Sequence, residues 1–420
     1  MTNDSVNTIA LIDARNPACS VKIFSISLLE RNLRLLALQG IQKAFVLTNE
    51  NSQVNFRPDF GKFKPIAVDI CRVTKPLMKF LSEREDFKNK DLLLMEGHAV
   101  YQETLIHDAA VADRDLLFVN SEKPMPALIR ISQKLWSGIQ QSSDDLKGLV
   151  TEIAAKAESV DISRKLIYMR NLRKSIQPYA FTVNDNREAK AAEKFLFEIT
   201  HYGAIDVVAK YFYKALSKIL VGWFAKTPVT PNQITLTSIV FAFSVSPVFA
   251  LGFLSWGILL ALVVSILDVC DGKLARFTYR TSEKGDLLDH VADRLNIYLY
   301  YIGYGVGLKM AGYVAEWETA GLLIAGVVAG HILDKVAART FRHFHNIRIH
   351  DFSPLDGYAR LFLPRRNIFI YMMLTGLLVG DPVLLYIVYA VWMYLYVLFH
   401  FGRVIIEKPK KKMSAVKEKS

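Results

Sequence analysis

Three cysteines in 420 residues, Cys19, Cys71 and Cys270, are too few and too scattered for a disulfide framework or a zinc site. The basic residues behind the net charge of +12 do not suggest a groove for single-stranded nucleic acid. They gather instead in loops between apolar runs and in the tail Lys408–Lys412, where an anionic lipid surface would attract them. No nucleic-acid partner is expected. Met1–Asn7 is polar and carries Asp4, so no signal peptide is expected and targeting falls to later segments. Long apolar runs are missing from the first half of the chain and crowd the second. That asymmetry separates a soluble half from a membrane half.

The membrane half carries a distinctive set of aspartates between residues 268 and 293. Asp268 and Asp271 lie three apart at the end of an apolar run, and Asp289 and Asp293 lie four apart at the start of the next. On helices these intervals put each pair on one face, so four carboxylates from two neighbouring helices can converge. Such a cluster repels itself unless cations neutralise it. Oxygen ligands suit a hard ion, Mg²⁺ or Mn²⁺, and four carboxylates have room for two. Gly272 and Gly285 leave backbone bare where a phosphate could approach, Ala275 keeps the wall small, and Arg276 offers a fork-shaped cation. Charged groups within membrane segments are costly and usually functional.

Six runs qualify as spans of about twenty residues, two of them short: 234–254, 257–270, 287–308, 321–336, 368–379 and 382–405. The link Lys273–Lys284 holds two Lys and two Arg, and the link Arg339–Arg366 holds six Arg. The alternate links are nearly free of positive charge. The positive-inside rule then places both termini and the aspartates on the cytoplasmic side of the cell (inner) membrane. Arg339, Arg342, Arg365 and Arg366 flank the inner ends of spans four and five, where they could serve an anionic acceptor or merely set topology. His331 and Asp334, in span four, could pair with each other. Thr230 or Asn232 can cap the first span after the helix-breaking Pro228 and Pro231.

In the soluble half, Ile9–Ile12, Ala44–Leu47, Leu92–Met95 and Leu116–Val119 read as buried strands. Helix-like spacing over Leu28–Leu38, Leu77–Leu81 and Glu103–Val111 separates them. The alternation predicts an α/β domain with a mainly parallel sheet. Asp144–Ser159 reads as a charged, helix-forming segment and Arg187–Phe197 as a helix. Tyr211–Phe224, with Lys214 and Lys218, reads as a basic amphipathic helix suited to the membrane interface. The expected division is 1–182 soluble domain, 183–228 linker and interfacial helix, 229–406 six-span all-α domain, and 407–420 basic cytoplasmic tail.

The spacing from Asp268 to Asp293 resembles the CDP-alcohol phosphotransferase signature, D-x2-D-G-x2-A-R-x8-G-x3-D-x3-D, with all eight fixed positions present. Pro231-Asn232-Gln233-Ile234-Thr235 also resembles that family's approach to its first span. The resemblance implies metal ligation by Asp268, Asp271, Asp289 and Asp293, with Asp293 also the catalytic base. It implies binding of CDP around Asn232, Gly272, Ala275, Arg276 and Gly285, and of an acceptor phosphate by Arg339, Arg342, Arg365 or Arg366. It further implies a homodimer in the bilayer. The reaction would move a substituted phosphoryl group from a CDP-linked donor to a small hydroxyl acceptor, such as inositol phosphate or glycerol phosphate, releasing CMP. The first hundred and twenty residues or so resemble the sugar-nucleotidyltransferase fold. There, however, Asp13-Ala14-Arg15-Asn16-Pro17-Ala18 replaces the glycine-rich triphosphate loop, which predicts a degenerate domain. The order of domains resembles fused inositol-phosphate cytidylyltransferase/di-myo-inositol-phosphate-phosphate synthases. Two alternatives stay open: a bifunctional enzyme that also makes its donor from CTP, and a transporter with an acidic cation site.

Overall fold

The computed structural model describes residues 8–49, 66–73, 79, 81, 83–87, 90–137, 146–169, 174–200, 207–280 and 283–407, apart from the side chains of 137, 146, 147, 174, 207, 209–211 and 283–290. The chain divides into two compact units. One comprises Met1–His201, Ala225–Thr227 and Leu274–Arg280; the other comprises Tyr202–Phe224, Pro228–Lys273 and Thr281–Ser420.

The first unit is built on a seven-stranded sheet: β1 (Thr8–Asp13), β2 (Lys43–Thr48), β3 (Ala67–Arg72), β4 (Asp91–Glu96), β5 (Leu116–Val119), β6 (Leu128–Ile131) and β7 (Glu158–Asp161). Their order across the sheet is β7-β5-β6-β4-β1-β2-β3. Every pairing is parallel except the two made by β6. The sheet is therefore mainly parallel, as the strand-helix alternation predicts. Both faces are covered, which explains why its strands are runs of apolar residues rather than alternations. Ala10, Ile12, Val46, Leu93 and Met95 pack with Leu29, Leu33 and Leu36 of helix α1 (Leu28–Leu38). Ile9, Leu11, Phe45, Leu92 and Leu94 face the other way, onto Phe87, Leu149 and Ile153.

Helices α2 (Glu103–Val111), α3 (Leu146–Ala154) and α4 (Asn186–Ile199) also belong to this unit. Glu103–Val111 and Arg187–Phe197 are thus helical as expected. The stretch Asp144–Ser159 is not a single helix where it is described: α3 ends at Ala154 and Glu158 begins β7, which zips in parallel onto β5. Strand pairing outweighs helix propensity there. The run Leu77–Leu81 falls largely outside the described residues.

The second unit is helical: α5 (Val207–Phe224), α6 (Pro231–Ala250), α7 (Leu254–Thr278, whose end from Leu274 is counted with the first unit), α8 (Glu283–Met310), α9 (Trp317–His345), α10 (Arg366–Val379) and α11 (Pro382–Ile406). Thr230 settles the start of α6: its hydroxyl accepts from Gln233 N while the Gln233 side chain accepts from Thr230 N, a reciprocal capping box with Pro231 in the first turn. Asn232 is therefore not the cap. Among the described residues four helices, α6, α7, α9 and α11, are long and apolar enough to cross a bilayer. The protein is accordingly a membrane protein. Helix α10, with 14 residues, spans about 21 Å, short of a typical hydrocarbon core.

Packing of α6 on α8 depends on small residues. A Cβ at Gly303 would stand 2.7 Å from the Ser246 carbonyl oxygen, and one at Gly307 would stand 2.2 Å from that of Phe249. Glycines four apart thus let two backbones approach, the way membrane helices associate when lipid removes the hydrophobic drive. Around that seam, Phe249, Tyr300, Tyr301, Tyr304, Phe369, Tyr386 and Tyr389 form an aromatic core. Because the obstructing atom at Gly307 is backbone, Gly307→Val should cost about 1–3 kcal/mol through overpacking. Thermal unfolding in detergent should show a clear drop in midpoint against wild type.

Candidate active site

Helices α7 and α8 carry the four aspartates, Asp268 and Asp271 on the first, Asp289 and Asp293 on the second. Asp268 and Asp293 meet at one guanidinium. Arg366, the first residue of α10, donates from Nη2 to Asp268 Oδ2 at 2.6 Å and from Nη1 to Asp293 Oδ1 at 2.5 Å. Two carboxylates on different helices therefore share a cation, and charge-assisted bonds of this kind are the strong ones. Asp271 is buried, and its Oδ2 accepts from the Thr235 hydroxyl at 2.6 Å while its Oδ1 accepts from Gly272 N. The helix of Asp289 is described but its side chain is not.

The remaining expected residues are spread more widely. Asn232 is exposed in the first turn of α6. Gly272 lies on α7 beside Asp271, Ala275 and Arg276 occupy its last turn, and Gly285 opens α8. Arg339 and Arg342 are exposed near the end of α9. Arg365 precedes α10, and Arg366, its first residue, binds Asp268 and Asp293. His331 and Asp334 do not pair with each other. The Asp334 carboxylate holds His400 Nδ1 of α11 at 2.6 Å, and His331 Nδ1 lies 3.3 Å from the Tyr301 hydroxyl. Residues three apart share a helix face, but both point at neighbouring helices, where each finds a closer polar partner.

Several participants were not singled out from the sequence. Thr235 was visible only as the end of the Pro-Asn-x-Ile-Thr run. Lys273, inside the signature at a variable position, is buried and donates to the Ser217 hydroxyl of α5 at 2.8 Å. On α8 the spacing Asp289, Asp293, Asn296, Tyr300 is that of one helix face. Asn296 Oδ1 and the Tyr300 hydroxyl are buried with no hydrogen-bond partner among the described residues.

Among the described residues no group of three His, Cys, Asp or Glu is poised to hold a metal. The chemistry of the site nonetheless fits a hard divalent cation. Its donors are carboxylate oxygens, a guanidinium stands in for a cation between two of them, and two orphaned polar atoms lie on the same helix.

The first unit has a cleft of its own, a cavity of about 950 Å³ lined by Asp13, Arg15, Asn49, Glu96, His98 and Asn184 among others. It opens where β1, β2 and β4 end, as ligand clefts in such sheets do. Asp13 and Glu96 are register partners in the parallel β1–β4 ladder. Arg15 closes on Asp13 at 2.7 and 2.9 Å, and Glu96 Oε1 accepts from Ala127 N. Gly97 N donates to the Asp13 carbonyl, and a Cβ at Gly97 would strike that same oxygen and Cys19 Sγ at 2.9 Å each. Burial, with the Asp13 carboxylate next, pushes the Cys19 thiol up to about 12.

Residues 228–402 match the family model described as CDP-alcohol phosphatidyltransferase, so the C-terminal part of the chain is a domain of that family. The protein is accordingly a transferase. It is similar to the bifunctional IPC transferase and DIPP synthase of Thermococcus kodakarensis, 27% identical over 305 residues that cover 67% of this chain and 69% of that one. The protein of the same description from Rubrobacter xylanophilus is 34% identical over 100 residues, 23% of each chain. Two solved structures overlap at a TM-score of 0.32. A 4-diphosphocytidyl-2C-methyl-D-erythritol synthase from Anaerococcus prevotii is 9% identical, over 46% of this chain and 99% of its own. A glucose-1-phosphate thymidylyltransferase from Bacillus anthracis, described as putative, is 8% identical, over 45% and 94%.

With Asp271 as a metal ligand, Thr235→Val should lower affinity for Mn²⁺ about tenfold, the ordinary effect of removing a ligand's hydrogen-bond partner, and Thr235→Ser should keep it; unchanged affinity in Thr235→Val would argue against that role. Isothermal titration in detergent reads both. In the first unit, a thiol with a pKa near 12 stays protonated at pH 8.5, and only the thiolate alkylates readily. Cys19 should therefore remain unmodified by iodoacetamide in folded protein and react once unfolded, as peptide mass spectrometry would show.

Proposed function

We propose that the C-terminal domain transfers a substituted phosphoryl group from a CDP-alcohol to the hydroxyl of a second alcohol and releases CMP. The meeting of Asp268 and Asp293, from two helices, on one cation carries this reading. A polyol phosphate such as inositol phosphate is the favoured acceptor, because the relatives are described as IPC transferase and DIPP synthase. The donor would be a soluble CDP-alcohol, or CDP-diacylglycerol supplied by the bilayer.

In this reading Asp268, Asp271 and Asp289 hold divalent cations, with Asp293 at their edge; two Mg²⁺ or Mn²⁺ ions are proposed. Bound there, such ions neutralise the donor's diphosphate and the departing CMP. Asp293, with a partly exposed carboxylate, takes the proton of the acceptor hydroxyl. The hydroxyl oxygen forms a bond to the distal phosphorus as the bridging oxygen leaves with CMP. Gly272 and Gly285 let the diphosphate approach the helix backbones, while Asn232, Ala275 and Arg276 are proposed to contact the nucleotide. Arg339, Arg342, Arg365 and Arg366 remain the cations proposed for an anionic acceptor. The arginine-rich links argue for a cytoplasmic site in the inner membrane, with both termini on that side. Helix α5 presents Phe212, Leu216, Ile219 and Trp223 outward at helical spacing, which supports an interfacial role. Two copies would associate through the membrane domain.

The soluble cleft supports a weaker role in donor synthesis. Its volume would admit a nucleotide, but Asp13 and Glu96 oppose a triphosphate and Arg15 is already engaged by Asp13. We therefore hold the first unit to be a degenerate nucleotidyltransferase.

Purified full-length protein should release CMP from CDP-inositol or CDP-diacylglycerol only with Mg²⁺ or Mn²⁺ and an alcohol acceptor. Asp293→Asn should reduce turnover by about a thousandfold or more while still binding Mn²⁺, in keeping with loss of a general base. Supplied with CTP and inositol phosphate, wild type should liberate no pyrophosphate.

A further inference from the structure

The reading above asks Asp268 and Asp293 to face divalent cations, yet both already have a partner. Arg366 sits between them with a side chain only 14% exposed and satisfies one oxygen of each. Its position is imposed by the fold. It is the first residue of α10, after the extended backbone of Arg365, and the adjoining Ile368, Phe369 and Ile370 are buried in the helical core. Pro364 directly before the two arginines restricts how that turn can unwind. A guanidinium so placed solves a problem that the acidic pocket has before any substrate arrives: carboxylates among apolar helices cannot stay ionised without a cation.

We propose that Arg366 is the resident counter-cation of the acidic pocket, and that divalent cations gain Asp268 and Asp293 by displacing it. This rests on the reading of those aspartates as a metal site. The exchange keeps the carboxylates neutralised and raises the local charge by one. A divalent ion brings two positive charges to the carboxylates, and the guanidinium that withdraws carries one positive charge toward the phosphate oxygens of an arriving substrate. Arginine suits the task better than lysine because its two Nη groups bind two carboxylates at once. Metal loading and binding of the anionic substrate should then reinforce each other. The first frees the cation that the second needs.

Displacement has a measurable cost. If the guanidinium occupies the pocket for about nine-tenths of the time, apparent metal affinity falls about tenfold, by the fraction of molecules whose pocket is open. Mn²⁺ binding, followed by loss of the free-ion paramagnetic resonance signal, tests this on full-length protein in detergent. Arg366→Gln should bind Mn²⁺ about tenfold more tightly than wild type, and its metal-free form should melt at a lower temperature, with the deficit removed by saturating Mn²⁺. Arg366→Lys, which keeps the charge and loses the fork, should fall between the two. It also guards against failure of the glutamine variant to fold. Unchanged or weaker Mn²⁺ binding in folded variants overturns the exchange and, if wild type still releases CMP in a Mn²⁺-dependent way, leaves the transferase reading intact. Wild type that binds no Mn²⁺ at all, while still releasing CMP, overturns both the metal site and the exchange built on it.

Discussion

Carboxylates placed among apolar helices must be neutralised, and the acidic pocket is organised by that requirement. Desolvating an ion in a low-dielectric interior costs several kcal/mol even after relaxation. The chain meets the cost locally and in kind. Arg366 serves Asp268 and Asp293, Thr235 and the Gly272 amide serve Asp271, His400 serves Asp334, and Arg403 serves the fully buried Asp356. Each partner comes from an element remote in sequence, apart from Gly272. The charged groups therefore help fix which helices meet. Removing either partner alone would leave its counterpart stranded, so the polar groups specify the bundle as much as its aromatic core does.

Much of this was legible before any coordinates, for a definite reason. The signature from Asp268 to Asp293 is local, and helical periodicity alone puts its residues on shared faces. The buried strands of the first unit were readable because a sheet covered on both sides needs unbroken apolar runs, which Ile9–Ile12 and Leu92–Met95 provide. Strand β7 escaped because its sequence is charged and half-exposed; only pairing with β5 makes it a strand.

What could not be read were partnerships across sequence distance. His331 and Asp334 are three residues apart on one helix, and proximity in sequence suggested a pair. The bundle instead offers Tyr301 and His400, from α8 and α11. Arg366 was visible as one of several loop arginines, but nothing in its neighbours marks it as the one that reaches inward. Thr235 is similar: the run containing it signals a helix start, whereas its bond to Asp271 appears only when α6 lies against α7. The spread of Asn232, Arg339 and Arg342 over exposed surface leaves their proposed contacts to the substrates themselves.

The glycine seam between α6 and α8 has an asymmetric effect on the site. With Gly303 and Gly307 drawn against Ser246 and Phe249, those two helices behave as one stiff plank, and both Thr235 and Asp293 ride on it. Helix α10 packs on α11 and α5, and touches this pair only through the ring of Phe369 against Tyr301 and Tyr304 among the described aromatic contacts. Because Arg366 reaches the pocket from α10 rather than from this plank, its side chain can swing as a latch while Thr235 and Asp293 hold their spacing.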